Sequence, residues 1–235
     1  MRHKLLSIAQ RIRLPSICIL CNQFHPTRLA VCDFCIALFP SLGPSCKYCA
    51  FPLPDEGYLI CGHCIKQPPY FNNATIAYSF EEPLRGLLHR FKYQNGLYLS
   101  SLLAQLIINA WKKQPSTPQC LIPVPMHPKK IKSRGFNQTI IIAQLLSKRL
   151  KIPIDFISCQ KKLHTPAQAE LNGKKRSQNI KNAFSVAPSS YKHIALIDDL
   201  LTTGSTVNEL AKVLKKSGVQ QVDIWCCARA VKKTL

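Results

Sequence analysis

Eight cysteines fall into four C-x-x-C pairs within the first 64 residues: Cys18/Cys21, Cys32/Cys35, Cys46/Cys49 and Cys61/Cys64. Each pair puts two thiols on one tight turn, and two turns complete a tetrahedron of sulfurs about 2.3 Å from a central ion. Eight ligands therefore make two closed metal sites. The spacers are short and carry Pro26, Pro40, Gly43, Pro44, Pro52, Pro54 and Gly57, so the segment has little apolar core and draws its folding free energy from the ions. Three pairings of the turns are open. The sequential one, with Cys18, Cys21, Cys32 and Cys35 on one ion and Cys46, Cys49, Cys61 and Cys64 on the other, is the simplest. Zinc is the expected ion, with an iron–sulfur cluster as the rival. Four thiolates leave no open position for water, so both sites read as structural. His63 reads as a bystander, with replacement of a thiolate ligand as the alternative.

Redox compartment supports metal over disulfides. Arg11 and Arg13 interrupt the first apolar run and no small-residue cleavage site follows, so no export signal is expected. The chain is expected to be cytoplasmic, where thiols stay reduced. Leu5, Ile8, Ala9 and Ile12 recur at helical spacing among Arg2, Lys4, Arg11 and Arg13. A short basic amphipathic helix of this kind packs on the ribbon or makes a peripheral contact with an anionic membrane, the inner-membrane face being one place for it. No apolar stretch approaches the roughly 20 residues of a membrane span.

Charge is distributed differently from cysteine. The 32 Lys and Arg against 11 Asp and Glu give a net charge of +21. Residues 1–70 hold seven basic and three acidic side chains, and residues 71–235 hold 25 and eight. Two four-thiolate zinc sites subtract about two charges each, so the basic excess survives metal loading. We therefore expect two domains, 1–70 carrying the N-terminal helix and a double zinc ribbon, and 71–235.

From Ala74 onward, strand and helix signals alternate. Strands are predicted at 74–80, 120–124, 194–197 and 222–228, and helices at 84–91, 98–113, 138–150 and 207–216, the last closed by Gly218. Alternation of this kind predicts an α/β domain with a mostly parallel sheet flanked by helices. The sequence Ile194-Ala-Leu-Ile-Asp198-Asp199-Leu-Leu-Thr202-Thr203-Gly204-Ser205-Thr206 is its most informative stretch. An apolar strand delivers two acids at its carboxyl end, where open α/β sheets bind ligands. A Thr/Gly/Ser loop then opens a helix, and its N–H groups and hydroxyls suit a phosphate monoester. The carboxylates can accept hydrogen bonds from vicinal sugar hydroxyls.

This stretch resembles the phosphoribosyl-pyrophosphate-binding motif of type I phosphoribosyltransferases. The resemblance implies that Asp198 and Asp199 contact the ribose hydroxyls, that Thr202, Thr203, Gly204, Ser205 and Thr206 hold the 5′-phosphate, and that Mg²⁺ accompanies the pyrophosphate. Purine-salvage members usually carry a carboxylate at the position of Thr202, so a purine-salvage reading is weakened. Further segments are similar to the ComF family of competence-associated proteins: Ile122-Pro-Val-Pro-Met-His-Pro through Arg134-Gly-Phe-Asn-Gln138, His89-Arg-Phe-Lys92-Tyr-Gln-Asn-Gly96, Thr165-Pro-Ala-Gln168-Ala-Glu-Leu171, Arg176-Ser-Gln-Asn179 and Ala183-Phe184. With the cysteine pairs, the likeness covers nearly the whole chain. The family fold places a pyrophosphate-side loop at the basic turn 127–134, which makes Lys129, Lys130, Lys132 and Arg134 candidate contacts. Residues 161–176, rich in lysine, are candidates for a flap over the site.

Nucleic acid is the other partner that charge suggests. Between Lys129 and Lys181 there are 13 Lys or Arg and two acids, Asp155 and Glu170, enough for a sequence-independent track along phosphates. Lys92, Arg134, Lys161, Lys162, Lys174, Lys175 and Arg176 are the candidate DNA contacts. Phe91, Tyr93 and Phe136 offer rings that stack bases or fill the core. ComF-family resemblance implies handling or import of single-stranded DNA in natural transformation, with a DNA-uptake helicase or an inner-membrane channel as partner. Three readings follow: a competence factor that binds single-stranded DNA and uses its phosphoribosyl-pyrophosphate site as sensor or catalyst, an active phosphoribosyltransferase with an unknown acceptor, and a zinc-stabilised adaptor for a DNA-uptake partner. No residue stands out as a base that would activate an acceptor, and no catalytic residue is assigned.

Overall fold

The structure, a computed structural model, describes residues 16–112, 116–162 and 182–231. The expected helix around Leu5–Ile12 and most of the expected flap, with Lys174, Lys175 and Arg176, lie outside the described residues. Contacts divide the chain into two compact units, residues 1–39 and 40–235.

In the first unit, β1 (Ser16–Ile17) pairs antiparallel with β2 (Phe24–His25), and α1 (Asp33–Ala37) follows directly on Cys32. The Cys18 carbonyl accepts from Asn22 N–H at 2.8 Å, with Asn22 in the left-handed region at φ 58°. The same device recurs in the larger unit, where the Cys46 carbonyl accepts from Ala50 N–H at 2.8 Å, Ala50 has φ 52°, and α2 (Gly62–Lys66) follows Cys61. Each cysteine module is thus a left-handed turn facing the start of a short helix. The expected boundary after residue 70 groups the two modules together, whereas the contacts divide the chain after residue 39 and join the second module to the sheet. Cys49 packs on the sheet core, and Arg229 Nε donates to its carbonyl at 2.9 Å.

The larger unit continues through β3 (Asn73–Thr75), β4 (Tyr78–Ser79), α3 (Leu84–Tyr93), a 3-10 turn (Gly96–Leu99), α4 (Ser100–Trp111), β5 (Cys120–Pro123), α5 (Pro128–Arg134), α6 (Gln138–Leu150), β6 (Cys159–Lys161), β7 (Phe184–Val186), β8 (His193–Leu201), α7 (Ser205–Lys216) and β9 (Gln221–Arg229). Its main sheet is parallel throughout, in the order β3-β9-β8-β5, with β4 also on β9. Parallel strands buried on two faces must be apolar on two faces. On β9, Val222, Ile224 and Cys226 share a core with Val207, Leu210, Ala211 and Leu214 of α7. Trp225 instead meets Trp111 at 5.5 Å, and the Cys227 thiol donates to the Leu103 carbonyl of α4. β6 and β7 form a separate antiparallel pair.

Three local expectations change. The strand expected at 74–80 is split into β3 and β4. The turn expected at 127–134 is a helix, capped by His127 Nδ1 accepting from Lys129 N–H at 3.2 Å and closed by Gly135 at φ 88°. The acid pair lies within β8 rather than at its end, because β9 is equally long and pairs on to Leu200↔Ala228 and Leu201↔Arg229.

Gly96 permits the chain to fold back after α3. A Cβ there would lie 2.6 Å from the carbonyl carbon and oxygen of Arg90 and from Phe91 N. These are backbone atoms that cannot step aside by changing rotamer. Gly96→Ala is expected to lower unfolding stability by about 2 kcal/mol, in the range of overpacked cores, as read from the denaturant midpoint.

Candidate functional site

A cleft of about 640 Å³ opens at the carboxyl ends of β5 and β8. One wall is Asp198 and Asp199 of β8 with Thr202 and Thr206. Facing it are Lys130 and Arg134 of α5, Asn137, Gln138 and Thr139 at the start of α6, and Lys161 of β6. Lys92 and Tyr93 of α3 complete the lining. Asn137 secures the start of α6: its Oδ1 accepts from Thr139 N–H at 3.2 Å, while its Nδ2 and the Thr139 hydroxyl donate to the Val124 carbonyl at 3.3 and 2.9 Å. The helix N-terminus is thereby tied to the end of β5. Gln138 is 1% exposed, and its Nε2 has no hydrogen-bond partner among the described residues. A buried donor without a partner is costly in a closed protein and useful beside a polar ligand.

The loop after β8 forms a second, smaller recess of about 40 Å³, lined by Asp198, Leu200, Leu201, Thr202, Gly204, Ser205, Thr206 and Val207. Gly204 is left-handed at φ 79° and caps α7. The Thr203 hydroxyl accepts from Ser205 N–H at 3.3 Å and shares a hydrogen bond with the Ser205 hydroxyl at 2.9 Å. A small recess at the positive end of a twelve-residue helix suits a compact anion.

The acid pair sets the electrostatics. Lys92 Nζ lies 3.0 Å from Asp199 Oδ1, and the Asp198 carboxylate accepts from Asp199 N–H at 2.9 Å. Burial first, then the neighbouring Asp199 charge, pushes Asp198 up to about 7, with Lys92 opposing the rise. Burial works against the Lys92 charge, but Asp199 and then Asp198 outweigh it and its pKa is raised. Across the cleft, burial and then the Lys130 charge bring Lys161 down to about 8, with Asp198 opposing. Lys130 is also lowered, by burial and by Arg134. The Arg134 guanidinium lies 4.9 Å from the centre of the Tyr93 ring.

The sequence candidates are thus distributed unevenly. Lys130, Arg134 and Lys161 line the cleft with the acid pair, whereas Lys129 and Lys132 lie exposed on α5 outside the lining and Lys162 is exposed beyond β6. Lys92, a DNA candidate by sequence, is paired with Asp199. Phe91 is buried and meets Phe136 edge-on at 6.2 Å, while Tyr93 and Tyr98 are exposed. Roles for Gln138 and Arg229 went unread. In the sequence Gln138 stands out only as the last residue of the family-similar segment Arg134-Gly-Phe-Asn-Gln138.

The cysteines gather in sequence order, Cys18 with Cys21, Cys32 and Cys35, and Cys46 with Cys49, Cys61 and Cys64, their sulfurs within 4.8 Å of one another in each group. Cys21 and Cys32 sulfurs are 3.8 Å apart, and those of Cys49 and Cys61 3.7 Å. That is the edge of a tetrahedron with metal–sulfur bonds of about 2.3 Å, and it is far too long for a disulfide. The donor set fits one zinc ion per group. His63 belongs to neither group and is exposed.

A parallel sheet with an acid pair and a Thr/Ser loop at its carboxyl edge defines the phosphoribosyltransferase class of fold, and the Phosphoribosyl transferase domain family model matches residues 137–235. Over nearly its whole length the chain is similar to Competence protein F of Haemophilus influenzae, 37% identical over 91% of this chain and 96% of that one. It is also similar to the DNA utilization protein YhgH of Escherichia coli K12, 29% identical over 94% and 100% of the two chains. Competence protein ComFC of Streptococcus pneumoniae is 22% identical over 90% and 99%. The chain belongs to the ComF family of competence proteins.

Asp198 gives a pH signature to stability. Its folded-state pKa is raised, so the folded protein holds a proton that the unfolded chain has released, and stability falls as pH rises from the ordinary carboxylate range through about 7. Asp198→Asn is expected to be more stable than the parent at pH 8, with the difference shrinking at pH 4.5. Urea unfolding at the two pH values measures it.

Proposed function

We propose that the chain binds Mg²⁺–phosphoribosyl pyrophosphate in this cleft and handles single-stranded DNA during natural transformation, with the sugar phosphate governing the DNA step. The observation that carries the reading is the joint placement of the acid pair, the loop at the start of α7 and the cations Lys130, Arg134 and Lys161 around one cleft. Asp198 and Asp199 accept hydrogen bonds from the ribose hydroxyls. Residues 202–206 take the 5′-phosphate, and the facing cations take the pyrophosphate with its Mg²⁺, Gln138 supplying a further donor. The relatives' names, Competence protein F and DNA utilization protein, support DNA as the partner. Arg134, Lys161 and Lys162 continue the basic surface that a strand follows, and exposed Tyr93 and Tyr98 offer stacking faces.

The two cysteine groups hold zinc, which supplies folding free energy to the modules. Cys32→Ser and Cys49→Ser are each expected to lose one of two zinc equivalents by elemental analysis. Retention of two would overturn the assignment.

Among the described residues, the cleft offers no side chain that we assign as a base for an acceptor. His127 lines it, but its Nδ1 already accepts from Lys129 N–H, so the neutral ring carries its proton on Nε2 and is a donor there. The chain works on the cytoplasmic side, with a DNA-uptake helicase or channel as partner. Among the described residues no helix is long and apolar enough to cross a membrane.

Binding should follow the cleft's own titration. Asp198 must ionise to accept the ribose hydroxyls, with its pKa at about 7, while Lys161 loses its charge through about 8. Affinity for Mg²⁺–phosphoribosyl pyrophosphate, by calorimetry on zinc-loaded protein, is expected to be greatest between these values. Asp198→Asn with Asp199→Asn should weaken it more than tenfold. Fluorescence anisotropy of labelled single-stranded DNA should show a steep salt slope that shifts when the sugar phosphate is added. Lys161→Ala with Arg134→Ala should shallow that slope by about 1.4. Pyrophosphate release in the presence of acceptors would move the assignment to a transferase. Absence of DNA binding at moderate salt would move it to an adaptor.

A further inference from the structure

Arg229, the last residue of β9, is 6% exposed, and its guanidinium donates through Nε and Nη1 to main-chain carbonyls. Nε donates to the Cys49 carbonyl at 2.9 Å, and Nη1 donates to those of Leu201 at 3.1 Å, Thr202, and Ala230 at 2.6 Å. Filling this volume would need only an apolar side chain, which avoids the cost of burying a charge. A planar fork of fixed geometry does something an apolar side chain cannot, which is to hold separate backbone segments at set angles.

The segments it joins are the turn of the second cysteine module, the entry to the anion-suited loop and the exit of β9. In a trans peptide the N–H points opposite to the C=O. With the Leu201 and Thr202 carbonyls turned onto Arg229, the N–H groups of Thr202 and Thr203 point away from it. Their orientation is therefore set from behind, before any ligand arrives. The other end of the fork rests on the carbonyl of Cys49, one of the four sulfur donors of its group. Its peptide leads into left-handed Ala50, whose N–H closes the turn on the Cys46 carbonyl. An ion shared by Cys46 and Cys49 fixes that turn, and so fixes the anchor on which Arg229 rests.

We propose that Arg229 is a positioning residue that couples metal occupancy of the Cys46–Cys64 group to the grip of residues 202–206 on a sugar phosphate. The proposal rests on the sugar-phosphate reading of the cleft and adds a second control to it: loss or oxidation of one cysteine group would loosen the phosphate loop. Coupling between two equilibria is reciprocal, so a sugar phosphate that binds the loop must also retain the metal of this group more tightly.

Ribose 5-phosphate is the probe, with zinc-loaded full-length protein. Arg229→Lys and Cys49→Ser are each expected to weaken its binding by calorimetry about tenfold, and the double variant no further than the weaker single one, because the two act through one connection. Cys32→Ser, in the other cysteine group, should stay within about twofold. In the parent protein, ribose 5-phosphate should slow zinc transfer to a chromogenic chelator for one equivalent only. If the parent binds ribose 5-phosphate but Arg229→Lys and Cys49→Ser bind it as well, the coupling is overturned and the sugar-phosphate reading stands. If the parent does not bind it, that reading fails, and amide exchange decides the coupling without a ligand. Removing zinc from the second group should speed exchange in residues 201–206, and unchanged exchange would overturn the connection. The same exchange measurement on the parent protein settles the matter should Arg229→Lys fail to fold.

Discussion

β8 and β9 remain hydrogen-bonded from His193↔Gln221 to Leu201↔Arg229, and the functional end of the molecule depends on this shared length. The last turn of pairing holds the acid pair inside the sheet rather than on a loose end. It also sets where the chain leaves β8 for the loop 202–206, and it delivers Arg229 beneath that loop. Two strands of ordinary apolar composition thereby place two carboxylates, an anion-suited helix start and a guanidinium within a few residues of one another. Fraying this pairing would alter all three together, since each follows from where the two strands end.

The acid pair carries a cost that Lys92 offsets. Asp199 is 5% exposed and Asp198 half-buried beside it, and like charges at that separation resist joint ionisation. One answer is proton retention on Asp198, the other is the ammonium of Lys92 at 3.0 Å. Lys92 arrives on α3, whose buried face of Leu84, Leu87, Leu88 and Phe91 fixes the helix against the core. An arrangement that is half neutralised in the free protein has room to respond. A Mg²⁺ ion or a row of ribose hydroxyls would compete with the proton on Asp198, and a ligand phosphate would compete with Asp199 for Lys92. The basic wall formed by Lys130, Arg134 and Lys161 is under the opposite strain, with burial and mutual repulsion lowering two of its lysines. An anionic ligand relieves that wall.

Much of this arrangement is legible in the amino-acid sequence. Helix 138–150 is recovered to the residue from its apolar period, and in the structure it is bounded by the Asn137 cap and by Lys151, left-handed at φ 59°. β8, β9 and α7 announce themselves through apolar runs and period. The cysteine spacing foretold two four-sulfur groups, and the fold chose the sequential pairing. By contrast α5 was invisible as a helix, because Pro128–Arg134 carries Ile131 as its one large apolar side chain and so has no amphipathic period. β6 and β7 are three residues each, too short for alternation to register. The extra length of β8 was hidden for another reason: Asp198 and Asp199 look like strand breakers, and only pairing with an equally long β9 overrides that preference. Arg229 had no local signal at all, since its carbonyl partner at Cys49 is 180 residues away in sequence.

Distance of this kind also explains why the second cysteine module belongs with the sheet. A short ribbon with few apolar residues contributes little packing, and its own core is three cysteines with Tyr48, Cys49, Leu53 and Ile60 against them. An ion held by its four sulfurs would give it rigidity, at a cost in chain length far below that of a hydrophobic domain. A loop presenting N–H groups to an anion, as proposed for residues 202–206, would need such rigidity behind it, because its front would have to stay open to solvent and ligand. The sheet supplies the rigidity on one side through Leu201↔Arg229. The module supplies it on the other through the Cys49 carbonyl, and the guanidinium between them turns two separate supports into one.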